Sequence, residues 1–387
     1  MNNPSEQPGA GKPPRRGRKK KVAIILGGIL AFVLLAAGIA AAGFYFYLDN
    51  QITEGEAGQL TSEVVTTTPE LTDKVVHYLI CGIDYDDDRD YGNPSKAKTD
   101  VILYLTLDVQ AGEAYALQIP RDTYVGEEVA TGGTCKLNNV YSHGEDEENP
   151  ISNLAKVINS HFGLPVDHYL TIDMASFRYL LNLIGGIEMY VPYEIKLKGS
   201  DEVVAEPGYQ LVTGDVAELI LRNRNFQQQD YKRLETQQYF YLALFNTFKA
   251  NPQDFIKVAP GFIQYFNTDM SVADLLALAN TAMNLEADKI GFARAPGGPV
   301  TRTDTVTGEA QSCYGINREN MAELLNNYFR PYSDPVPAEE LGLPALTDAD
   351  FNLGQNYEDI RTIGSLDPGN EANSSSESVA TTSDVAE

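Results

Sequence analysis

A chain of 387 residues allows one large domain or two small ones with a sizeable buried core, and excludes a short peptide-like fold. Basic residues number 29 against 54 acidic ones, a formal net charge of −25 at pH 7; seven basic residues and one acidic residue precede Val22, so the remainder carries 22 against 53, a net −31. That sign argues against general nucleic-acid binding, and three cysteines without CxxC spacing are too few for a disulfide scaffold or zinc site.

Residues 1–21 read as a basic cytoplasmic segment, with Lys12, Arg15, Arg16, Arg18, Lys19, Lys20 and Lys21. Residues 22–48 contain no charged side chain, and at about 1.5 Å per residue they are long enough to cross a hydrocarbon core of about 30 Å. Basic residues before this run and Phe44, Tyr45, Phe46 and Tyr47 at its end orient it with the N-terminus in the cytoplasm. The competing reading is a cleaved signal peptide using Ala40, Ala41 and Ala42, against which the run exceeds a typical apolar region of about 7–15 residues. Both readings place everything after Asp49 outside the cytoplasm. Residues 49–74, Thr- and Glu-rich, read as an extracellular stalk.

A compact domain is expected from Val75. Apolar runs at 75–80, 101–107, 115–119, 166–172, 187–191 and 289–292 fit strands. Helical spacing follows Pro150 and stops at Gly163; Asp173 caps a helix through Leu183, ended by Gly185 and Gly186. Gly214 starts a short helix to Arg222, Asp230 a longer one to about Phe248, and further helices fit 252–266, 272–283 and 317–328. Alternating strands and helices favour an α/β sandwich. Residues 75–248 form the expected main domain, 249–332 a helical and strand part packed on it, and 333–387 an acidic, largely disordered tail.

The sequence lacks GxSxG, Walker A and HExxH motifs, and His77, His143, His161 and His168 are scattered, so serine and zinc hydrolase readings have little support. Asp84 and Asp100, at the end of one strand and the start of the next, stand at one sheet edge, where carboxylates suit a magnesium ion or merely cap solvated loops. The run Asp86, Asp87, Asp88, Arg89, Asp90 has Tyr91 where an EF-hand needs glycine, and reads as a solvated acidic loop. Pro120 stops a strand and leaves Arg121 and Asp122 at its end, either as a structural ion pair or as a ligand site. Asp230, Arg233 and Gln237 share one helical face, and Arg222 and Arg224 precede it across a polar turn. Several arginines gathered in so acidic a chain point to an anion such as pyrophosphate, which their planar forks of donors suit. Cys135 and Cys313 lie in Gly-, Thr- and Ser-rich loops where an exterior location permits a disulfide.

In order, the segments Leu79-Ile80-Cys81-Gly82-Ile83-Asp84, Thr99-Asp100, Ile119-Pro120-Arg121-Asp122-Thr123-Tyr124-Val125, Lys136-Leu137-Asn138-Asn139-Val140-Tyr141, 173–191, 214–224 and 230–237 resemble the LytR-CpsA-Psr family of cell-envelope phosphotransferases. The resemblance implies a three-layer α/β/α sandwich with a mixed central sheet, preceded by one transmembrane helix at residues 22–48. It implies transfer of a phosphoglycan from a polyprenyl-pyrophosphate carrier to a peptidoglycan hydroxyl outside the membrane, with no nucleic-acid partner. Carried over by motif, Asp84 and Asp100 would hold Mg2+; Lys98, Arg121, Arg222, Arg224, Arg233 and Gln237 would hold the pyrophosphate. Arg121 and Arg233 would also serve catalysis, with Asp122 and Asp230 positioning or deprotonating the acceptor. Lys98 departs from the arginine usual in the family and would forfeit bidentate geometry. Two other functions remain open: a regulator that binds prenyl phosphates without turnover, and a pyrophosphatase using water as acceptor.

Overall fold

The computed structural model describes residues 59–84, 97–197, 200–222, 229–250, 266–355, 357 and 360–366. The expected transmembrane helix, the acidic run at 86–90, Arg224 and nearly all of the expected helix at 252–266 lie outside the described residues. Among those residues, no helix is long and apolar enough to cross a membrane.

Val- and Ile-rich β1 (Val75–Asp84) is an interior strand of a seven-stranded sheet, next to the central one. It pairs antiparallel with β2 (Lys98–Asp108), which pairs antiparallel with β3 (Glu113–Gln118). On its other side β1 runs parallel to β4 (His168–Asp173). The crossover between β1 and β4 includes α1 (Leu137–His143) and α2 (Pro150–Phe162). Pro150 suits the first turn of α2, where its missing N–H is no loss, and Gly163 ends the helix in the left-handed region at φ 61°. As expected, Asp173 caps α3 (Met174–Leu183), its carboxylate accepting from Ser176 N at 2.7 Å.

Beyond α3, β5 (Ile187–Val191) pairs with β8 (Gly208–Val212), and a small pair β6 (Ile195–Lys196) and β7 (Val203–Ala205) lies between them in sequence. Gly186 makes the entry to β5 with φ 88°, and a Cβ there would meet Val212 O at 2.6 Å, so glycine is required. Next come α4 (Gly214–Arg222) and the 22-residue α5 (Gln229–Ala250). From Leu234 to Phe245 most of α5 is buried, because it lies between the sheet and the β5–β8 pair; Tyr239 packs on Tyr190 with ring centroids 5.3 Å apart. Short β9 (Asn267–Thr268), α6 (Val272–Asn284), β10 (Ile290–Arg294), the hairpin of β11 (Gly297–Thr303) and β12 (Ala310–Ile316), α7 (Arg318–Tyr328), β13 (Arg361–Thr362) and α8 (Ile363–Leu366) complete the described fold.

The sheet order is β13-β10-β3-β2-β1-β4-β9, with parallel pairing at β1–β4 and β3–β10 and antiparallel pairing elsewhere. Strand alternation divides its side chains between two cores. Tyr78, Ile80, Leu103, Leu105 and Leu170 pack beneath α3, α4, α5 and α6, whereas Leu79, Cys81, Ile102, Tyr104 and Leu117 pack against α1, α2 and α7. The architecture is a three-layer α/β/α sandwich with a mixed sheet.

Two expectations change at the ends of the chain. Residues 59–74, expected as the last part of a stalk, lie on the domain: Val64 is buried, Asn159 bonds both the N–H and the C=O of Val65, and Thr67 Oγ1 donates to Asp167 Oδ2 at 2.6 Å. Within the expected tail, Leu341, Leu343, Ile363 and Leu366 are buried and β13 adds an edge strand to the sheet. Isolated apolar residues in polar surroundings give little periodic signal, yet each finds a site on a preformed core.

Candidate active site

At the end of β1, Gly82 pairs with Val101 but Ile83 pairs with Thr99, so Asp100 is the extra residue of a β-bulge in β2. A bulge breaks strand alternation and re-aims a side chain, as is common beside active sites. Here the Asp100 carboxylate, 6% exposed, accepts from Arg121 Nη1. Asp84 and Lys98 stand opposite each other across the same two strands.

Pro120 ends the extended run after β3, and the loop it opens is stitched to α1. Leu137 N donates to Thr123 O and Asn138 N to Arg121 O, both at 2.9 Å, while Val125 N donates to Cys135 O at 3.0 Å. The Lys136 segment is thereby brought beside the Arg121 segment. Arg121 Nε lies 3.6 Å from Asp122 Oδ2, and Lys136 Nζ 3.5 Å from Asp122 Oδ1. From α2, His161 Nε2–H donates to Val125 O at 2.8 Å; burial lowers the pKa of the ring against the raising effect of that bond. The neutral ring is therefore a structural tie.

The other wall comes from α5. Arg233 and Gln237 are both 3% exposed, and Gln237 Oε1 accepts from Gln118 Nε2 at 2.6 Å while its own Nε2 donates to Leu221 O at 3.1 Å. Gln237 thus joins the end of β3 to the end of α4. Asp230 is the second residue of α5 and Arg222 the last of α4, but their side chains, like all of Arg224, lie outside the described residues. The structure brings together Asp84 with Lys98, Asp100 and Asp122 with Arg121, and Gln237 with the strand that leads into Arg121.

Three polar residues here had no role assigned from sequence. Lys136 was visible within a motif, but its ion pair with Asp122 requires the loop to fold back. Gln118 and Arg294 end neighbouring parallel strands, and strand-end position was the available signal.

For the metal, two carboxylates at one strand end are hard oxygen donors of the kind that hold Mg2+ when substrate phosphates complete the shell. No group of three or more His, Cys, Asp or Glu able to hold a metal occurs among the described residues. Asp84 and Asp100 stand at the same end of the β1–β2 pair, and their carboxylates are donors of the type such a shared shell requires.

The Cys135–Cys313 disulfide that the sequence permits is not formed: Cys81, Cys135 and Cys313 are free and buried. Burial pushes the Cys313 thiol up to about 11 and also raises Cys135 and Cys81, so none is an activated nucleophile. A cavity of about 320 Å³ lined by Val65, Leu71, Val75, His77 and Arg330 lies at the start of β1, the opposite end of the strand from Asp84.

A sheet end with this balance of guanidinium, ammonium and carboxylate groups has the chemistry to meet a phosphorylated ligand rather than to attack a carbonyl, and it sits on an α/β/α domain. The chain belongs to the LytR_cpsA_psr family, whose sequence model matches residues 44–330. It is 24% identical over 304 residues to the polyisoprenyl-teichoic acid–peptidoglycan teichoic acid transferase TagV of Bacillus subtilis, covering 76% of this chain and 72% of that protein. It is 26% identical over 213 residues to the transferase of the same description, TagU, of Bacillus cereus, covering 53% of this chain and 64%, less than two thirds, of that one. The fold is similar to the crystal structure of B. subtilis TagV (TM-score 0.51, 22% identity, 65% of this chain and 94% of that chain). It is also similar to TagT bound to LIIa-WTA (TM-score 0.51, 16% identity, 74% and 98%).

Proposed function

We propose that the chain is a membrane-anchored extracellular phosphotransferase that moves a teichoic-acid-type or other wall glycopolymer from a polyprenyl-pyrophosphate carrier to a peptidoglycan hydroxyl. The observation that carries this reading is the position of Arg121, held at a strand end by Asp100 and Asp122 and three residues beyond Gln118, which bonds Gln237 of α5. The names of the relatives support the substrate class.

In the reaction, the acceptor hydroxyl oxygen attacks the phosphorus that bears the glycan. A new P–O bond forms, the bond to the bridging pyrophosphate oxygen breaks, and prenyl phosphate leaves with the electron pair. The hydroxyl proton passes to a carboxylate; Asp122, already positioned by Lys136 and Arg121, is one acceptor and Asp230 the other. Arg121, Arg233, Lys98 and Lys136 hold the phosphoryl oxygens and offset their charge, which is most of what phosphoryl transfer asks of a protein. Asp84 and Asp100 would hold Mg2+, which when bound supplies further neutralisation of those oxygens. Arg222 and Arg224, carried over from the family motif, would complete the grip. A tether at residues 22–48 would keep the site near its lipid carrier and raise their effective concentration.

The test supplies the purified ectodomain with a prenyl-pyrophosphate glycan, peptidoglycan fragments and Mg2+. A phosphodiester-linked glycan is expected, with turnover lowered by roughly 10²–10³ in Arg121→Ala and similarly in Arg224→Ala, at unchanged circular dichroism. Phosphate release without glycan transfer would instead establish a pyrophosphatase, and binding without any product a regulator.

A further inference from the structure

The layer behind Arg121 contains polar groups that the motif residues do not account for. Arg294, the last residue of β10, is 5% exposed, and parallel register sets it beside Gln118, the last residue of β3. Both stand at carboxyl ends of strands, where α/β sheets bind ligands. Alternation puts Arg294 on the face of Ile290 and Phe292, the face covered by α5.

Contacts orient the helix over this face. Gln118 Nε2 reaches Gln237 Oε1 and, at 3.3 Å, Leu234 O, while Tyr241 stacks on Phe292 with ring centroids 6.2 Å apart. The N-terminal half of α5 therefore lies over the strand ends, and Arg294 lies beneath the turns that carry Arg233 and Gln237. Two buried atoms in this layer, Tyr241 Oη and Gln118 Oε1, have no hydrogen-bond partner among the described residues. Burial raises the pKa of Tyr241 against the lowering effect of nearby Arg233, so its hydroxyl is a donor at neutral pH. A buried donor of this kind is unfavourable unless something accepts from it.

We propose that Arg294 is a further substrate-holding residue, gripping the pyrophosphate from the sheet side while Arg233 reaches it from α5 and the Tyr241 hydroxyl donates to one of its oxygens. The proposal rests on the phosphotransferase reading above. Arg121 follows β3 and Arg294 ends β10, neighbouring strands about 4.8 Å apart, which suits two linked phosphoryl groups better than one. Arg294 comes from a segment outside the sequence motifs, so it is a site feature supplied by the later part of the chain.

Calorimetric titration with farnesyl pyrophosphate and farnesyl monophosphate tests it. Arg294→Met is expected to weaken pyrophosphate binding at least tenfold and monophosphate binding less than threefold, with Arg294→Lys between wild type and Arg294→Met for pyrophosphate. Tyr241→Phe is expected to weaken pyrophosphate binding two- to fivefold. Unchanged pyrophosphate affinity in the Arg294 variants, or equal losses for both ligands, overturns the proposal. If Arg294→Met does not fold, Arg294→Lys carries the same test. A wild-type chain that binds neither ligand overturns the phosphotransferase reading itself, whereas wild-type binding that Arg294 substitution leaves untouched overturns this proposal alone.

Discussion

Arg121 owes its usefulness to what surrounds it. A lone surface guanidinium loses side-chain entropy on gripping a ligand, but Arg121 is already held by Asp100 and lies 3.6 Å from Asp122, so little ordering remains. Residue chemistry alone leaves Arg121 and Asp122 open between an ion pair and a ligand site; the bulge at Asp100 and the return of Lys136 join them in one network of ion pairs, which the proposed function reads as the wall of an anion site. His168 illustrates a different single-residue device. Its Nδ1 lies 3.3 Å from Asp269 Oδ2, joining β4 to the turn after β9. Burial disfavours the charged ring, but the bond and charge of Asp269, with Asp167 and Asp274 behind it, outweigh burial and raise its pKa. A raised folded pKa means the contribution is full below the unfolded value of about 6.5 and fades as pH rises through the folded one. His168→Gln is accordingly expected to lower the melting temperature more at pH 6 than at pH 9; equal losses at both would sink the assignment.

Among the elements, the β11–β12 hairpin braces the loop that carries Arg121. Tyr314 N donates to Asp122 O and Tyr124 N to Tyr314 O, both at 2.8 Å, while the Tyr314 hydroxyl donates to Ala295 O at 2.8 Å. Tyr314→Phe should cost about 1 kcal/mol for the lost hydrogen bond and leave turnover near wild type. Tyr314→Ala should cost about 3–5 kcal/mol through the cavity left behind and also lower kcat, because the loop bearing Arg121 loses support. Wild-type kcat in a folded Tyr314→Ala chain would show the brace to be dispensable. This hairpin was not legible beforehand, since residues 297–316 are rich in Gly and Thr and read as loop; their strand character comes from pairing with each other and with residues 122–124. By contrast α2, α3 and α7 carry caps and apolar spacing of their own, and they form where those signals stand.

At the scale of the whole molecule, the segment before β1 and the start of β4 are locked by one carboxylate. Asp167 accepts from Thr67 N, Thr67 Oγ1 and His77 N at 2.6–2.7 Å. Burial works to raise its pKa, but the bonds from His77 and Thr67 together outweigh burial and lower it. A depressed pKa contributes stability above the unfolded value of about 4 and loses it as pH falls through the folded one. Asp167→Asn is expected to cost about 2 kcal/mol at pH 7 in urea unfolding, a difference that shrinks as pH falls below about 4. A pH-independent difference would mean that shape, not charge, holds the clamp.

The amino-acid sequence determined the strand and helix runs, the layered α/β class and the charged residue types of the proposed site, because periodicity, caps and motif spacing are local properties. Tertiary structure decided which of those residues meet. The single-residue bulge at Asp100, the fold-back that sets Lys136 against Asp122, the β3–β10 register that places Arg294 beside Gln118, and the docking of residues 59–74 all depend on contacts between segments distant in the chain. Such contacts form where they complete buried hydrogen bonds or bury apolar surface, and no local pattern encodes the partner.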